Sequence, residues 1–135
     1  MNAITYTGQS LRFHPRQRIT WLQTQAGVAH TLGDRSSEGN ALGNLGVAYK
    51  NLGEVRKAIE FYEQQLVIAR EIGDRQGEAS ASWNLGLIYE AQGDLQRAAD
   101  LMQVRVNYLR ELRHPDADKA AARVALVREK LRGAS

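Results

Sequence analysis

Three histidines, His14, His30 and His114, are the side chains of this sequence best suited to ligating a metal or moving a proton near neutral pH. They are scattered, without carboxylate partners at ligand spacing, and each reads as a surface histidine. Glu60 and Glu63 could pair for acid–base work, but with Arg56, Lys57 and Glu71 they read as a solvated charged face. The run GNLGVAYKNLG has the glycines of a phosphate loop, yet no strand precedes it and the lysine–serine ending is missing. Cysteine is absent, which excludes disulfides and thiolate metal sites. These residues predict neither an enzyme nor a metal or cofactor site.

Two asparagines offer a different chemistry. Asn44 and Asn84 each precede a leucine and a glycine, in two triplets of the same sequence. A primary amide can donate to a peptide carbonyl and accept from a peptide N–H at once, which suits recognition of an extended backbone. Trp83 stands next to Asn84, and an exposed tryptophan there would be an anchor for a partner. Val47, Lys50, Leu87 and Glu90 would complete the same strip. Arg35 and Arg75 either reach its edge or pair with Glu38 and Glu78 three residues on.

The elements that must position these residues come from a repeat. Gly33, Asp34, Glu38, Leu45, Gly46, Tyr49, Gly53 and Ala58 recur as Gly73, Asp74, Glu78, Leu85, Gly86, Tyr89, Gly93 and Ala98, a period of about 40 residues. Within one unit Ala41, Leu42, Leu45, Ala48, Tyr49 and Leu52 recur at three and four, the spacing of one helix face. Gly53 stops that helix, and a second follows with Val55, Ala58, Ile59, Tyr62, Leu66 and Ala69 inward. Glycine inside a helix costs about 1 kcal/mol against alanine. Gly46 and Gly86 therefore predict a close approach of the partner helix, with Ala58 and Ala98 facing them. The tyrosines a turn later fill the gap between adjacent units.

The glycine–tyrosine–glycine–alanine series resembles the tetratricopeptide repeat, and the period near 40 with NLG..Y…G is similar to the Pins/LGN and kinesin-light-chain type, also found in bacterial signalling proteins. That resemblance implies an all-α fold: about six antiparallel helices wound as a short right-handed superhelix. It also implies an asparagine ladder along a concave groove, and a scaffold for protein or peptide partners.

The expected organisation has five parts: an irregular segment over 1–17, an orphan second helix over 18–32, repeats over 33–72 and 73–112, and a capping helix with its tail over 113–135. The orphan helix has lost its partner. Trp21, Leu22 and Val28 are thus expected to be covered by Ile4, Tyr6, Leu11 and Phe13 or to join a second copy in a homodimer. A fragment of a longer array would solve the same exposure. The formal charge of +3 is uneven, with basic ends flanking an acidic middle. It sits at two ends rather than on one face, which argues against nucleic acid. With no apolar run of about 20 residues and no secretory leader, no membrane is expected and the cytoplasm is the expected location.

Overall fold

A computed structural model describes residues 14–134. Six helices follow in order: α1 (Pro15–Leu32), α2 (Arg35–Asn51), α3 (Val55–Ile72), α4 (Arg75–Ala91), α5 (Leu95–Glu111) and α6 (Ala117–Ala134). No strand occurs among the described residues. Each helix packs on the next, and α2 also touches α4 across the unit boundary. The result is an all-α solenoid of helix pairs, with α2, α4 and α6 in one row and α1, α3 and α5 in the other.

The boundaries have local causes. Asp34, Asp74 and Asp94 cap α2, α4 and α5, each carboxylate accepting a backbone N–H three residues on. Gly53 and Gly93 carry the left-handed turns between paired helices, at φ 80° and 86°. Arg113 takes the same region at φ 52°, one period after Gly73. The helix expected from residue 18 begins three residues earlier. Pro15 supplies its first turn, His14 Nδ1 accepts the Arg16 N–H, and Gln17 Oε1 accepts the His14 N–H. At the other end α6 starts at Ala117, two residues after the Pro115 expected to open it.

The core runs through the whole array. Leu45, Tyr62, Leu85, Met102, Val106 and Val127 are each at most 2% exposed. The close approach expected at the mid-helix glycines is present, but its partner differs between units. A Cβ on Gly86 would meet the Ala98 carbonyl oxygen at 3.0 Å and the side chain of Met102. On Gly46 it would meet the ring of Tyr62 at 2.6 Å, so Tyr62, not Ala58, is the neighbour that demands glycine there. The tyrosines do bridge units: Gln23 donates to the Tyr49 hydroxyl at 3.4 Å, and Tyr89 donates to Glu63 at 3.5 Å.

Candidate functional site

The asparagines stand on neighbouring helices of one row. Asn44 is exposed on α2 and Asn84 is half-buried on α4. Neither amide has a hydrogen-bond partner among the described residues. Val47 and Lys50 are exposed on α2, while Leu87 is half-buried on α4.

Two recesses flank this strip. One, of about 310 Å³, lies between α1 and α2 and is lined by Trp21, Gln25, Val28, Leu32, Asn40 and Asn44, among others. It brings together residues that the sequence assigned to separate sites, the groove asparagine and the α1 patch. Val28 and Leu32 are 53% and 75% exposed, and Trp21 is 47% exposed. Leu22, expected to share that patch, is instead 2% exposed, because α2 packs over it. The residues Ile4, Tyr6, Leu11 and Phe13, expected to cover the patch, lie outside the described residues.

The second recess, of about 520 Å³, opens between α4, α5 and α6. Its lining includes Trp83 and Leu87 from α4, Arg105 and Leu109 from α5, and Lys119 and Leu126 from α6. Trp83 is half-buried rather than fully exposed, and the Arg105 guanidinium lies 5.6 Å from its ring centroid. Asn84 is adjacent in sequence but does not line the recess.

Glu90, expected on the groove, and Arg35 and Arg75, expected either at its edge or paired with Glu38 and Glu78, all make ion pairs within the fold. Glu90 accepts two bonds from Arg123 at 2.5 and 3.1 Å and one from Lys130 at 3.0 Å, so its carboxylate fastens α6 instead of facing a partner. Arg35 bonds Glu38 at 2.9 Å and also Glu71. Arg75 bonds Glu111 at 2.8 Å and approaches Glu78 at 3.9 Å. Each arginine thus closes its own unit, end to end, rather than edging a groove. The chief cause holding the Arg75 proton more tightly than usual is its bond to Glu111.

The histidines are not isolated either. His30 Nδ1 lies 3.1 Å from Glu38 Oε2, where Arg70 meets Glu78 at 3.2 Å one period later. His14 caps α1, and His114 Nδ1 accepts the Asp116 N–H at 3.0 Å. Among the described residues no group of three metal-ligating side chains converges, and no helix is long and apolar enough to cross a membrane.

Sequence reading passed over Arg105, Lys119 and Arg123. The period carried a signal for one of them: Gly43, Trp83 and Arg123 are spaced by one repeat, so Arg123 belongs to the same face as Trp83.

Against known proteins, no curated sequence matches the chain. A family model described as tetratricopeptide repeat matches residues 37–111, more than half of the chain and both complete helix pairs but for the first two residues of α2. By that match and by its succession of helix pairs, the chain belongs to the tetratricopeptide repeat family.

Proposed function

We propose that the chain is a non-catalytic protein-interaction module that receives an extended peptide along the face carried by α2, α4 and α6. The observation that carries this reading is the pair of unpartnered amides, Asn44 and Asn84, one period apart on touching helices. Burial of a side-chain amide without a partner is costly. Both amides keep solvent contact and two-way hydrogen-bonding capacity, which a peptide backbone would use. The family is a general scaffold for protein partners, which agrees with this reading and does not choose the partner.

A phage-displayed library of unstructured peptides supplies the test. Selected peptides should bind the Asn44→Ala/Asn84→Ala double variant at least about tenfold more weakly, a loss of ~1.4 kcal/mol. Stability should change by no more than about 0.5 kcal/mol per site, as is usual for exposed positions. A large stability loss with unchanged peptide affinity would assign the asparagines to the fold.

A second reading, self-association through α1, is favoured by Val28, Leu32 and Trp21, all exposed on that helix. Light scattering across a dilution series reads it directly. A dimer that Trp21→Glu converts to monomer supports it; a monomer at every concentration removes it.

A further inference from the structure

We infer that copies of this chain join head to tail, α6 of one copy lying antiparallel on α1 of the next so that the two complete one helix pair. This rests on the reading of α1 as a self-association surface and names the surface that it meets.

The two outer helices belong to opposite rows. α2 pairs with α3 and α4 with α5, a first helix on its own second helix, whereas α1 holds a second-helix place and α6 a first-helix place. In α3 the face turned to its own first helix is covered. Phe61 stacks on Tyr49 at 5.4 Å, and a Cβ on Gly39 would come within 3.3 Å of Ile68. One period earlier those two positions are Trp21 and Val28, 47% and 53% exposed. α6 shows the converse. Leu42, Leu45 and Tyr49 on α2 are buried, as are Ser82, Leu85 and Tyr89 on α4. One period later Ala122, Ala125 and Glu129 are exposed on α6, and Leu126 between them is 54% exposed. Each outer helix thus carries the half of a pair that the other lacks.

The charges on the two faces are complementary. In both complete pairs the tyrosine of the first helix lies beside a cation of the second. Lys57 is 5.2 Å from the Tyr49 ring centroid, and Arg97 is 4.7 Å from that of Tyr89. One period after Tyr89 stands Glu129, and one period before Lys57 stands Gln17, between Arg16 and Arg18. Arg18 and Glu129 are exposed and make no ion pair among the described residues. Antiparallel pairing brings them together, with an ion pair in place of the cation–π contact. Leu126 stands where the complete units have Gly46 and Gly86, and Arg18 where they have Ala58 and Ala98. The joint is therefore wider than a pair inside the chain, with Leu126 against Trp21 and Val28. A two-fold pairing of α1 with α1 would leave Leu126 and Glu129 exposed. Because the joined surfaces differ, the contact is heterologous and extends beyond two copies.

Sedimentation of the whole chain at low salt, across a wide dilution series, tests this. The wild type should reach masses above two chains at high concentration. Trp21→Glu and Leu126→Glu, both at exposed positions, should each be monomeric. Their equal mixture should form a complex of two chains and no larger, since each supplies the face that the other has lost. Arg18→Glu or Glu129→Arg alone should weaken association about tenfold, and the two changes in one chain should restore it. Circular dichroism should show the same helix content throughout. Leu126→Glu associating as tightly as the wild type overturns the proposal and leaves self-association through α1 standing. A mixture of the two variants that stays monomeric overturns it as well. No recovery in the Arg18→Glu/Glu129→Arg chain overturns the antiparallel pairing. A wild type monomeric at every concentration sinks this proposal and the self-association reading together.

Discussion

Gly86→Leu is expected to cost about 3 kcal/mol or more, enough to leave the second helix pair loosely packed or unfolded. The first side-chain carbon would lie 3.0 Å from the Ala98 carbonyl oxygen, and against the side chain of Met102. Neither can retreat. The carbonyl belongs to the α5 backbone, and Ala98 and Met102 are both wholly buried. The two helices must separate, and separation uncovers Leu85 and Val106, which are 2% and 0% exposed. Gly27→Ala is the matched control, because a Cβ there meets nothing within 4 Å. It should stabilise the chain by about 0.5–1 kcal/mol through helix propensity alone. Urea titration separates the two. If Gly86→Leu unfolds at the wild-type midpoint, the helices have repacked around the new side chain and glycine is not required by their approach.

That glycine was legible from sequence because one residue type at one place in both units has one physical use. The same logic located the helices, their caps and the apolar faces. It failed where a contact joins positions whose types change from unit to unit. At Gly46 the intruder is a Tyr62 ring, and at Gly86 it is a backbone oxygen and Met102, though the two glycines are identical in pattern. Leu22 appeared to belong to an orphaned face, because period alone does not reveal that α2 covers it completely. Glu90 read as a groove residue for a similar reason. Its partners lie 33 and 40 residues away, on a helix read only as a cover. Charge pairing across unit boundaries depends on which side chains happen to stand one period apart. His30 beside Glu38, where the next boundary has Arg70 beside Glu78, is the same case. The recess around Trp83 was half visible: the tryptophan was singled out, but the cations that line it beside Trp83 come from α5 and α6.

Glu90 leads to the other large effect. Its side chain is 10% exposed and is gripped by the two terminal guanidinium nitrogens of Arg123 and by Lys130. The Arg123 hydrogen bond, with Lys130 assisting against the opposing cost of burial, holds the Glu90 carboxyl below the usual carboxylate range. A carboxylate whose folded pKa is depressed contributes stability above its unfolded pKa and loses it as pH falls through the folded value. Glu90→Gln keeps the shape and removes the charge. It should cost about 1–3 kcal/mol at neutral pH, the range for a partly buried charge-assisted hydrogen-bond group. The loss should appear first as faster amide exchange in α6, which the apolar contacts of Ala120, Val124 and Val127 and the long Arg128–Asp100 pair at 3.9 Å would then chiefly hold to the array. Loosened α6 also opens the recess it walls, so Trp83 emission should shift toward the red. The wild-type advantage over the variant should begin to shrink as pH falls below the ordinary carboxylate value and reach zero only below the depressed value of the folded Glu90, where it is protonated. Urea midpoints of both proteins from neutral pH down to below that depressed value provide the measurement. A gap between them that stays constant across the series would show that Glu90 fastens α6 by packing and not by its charge.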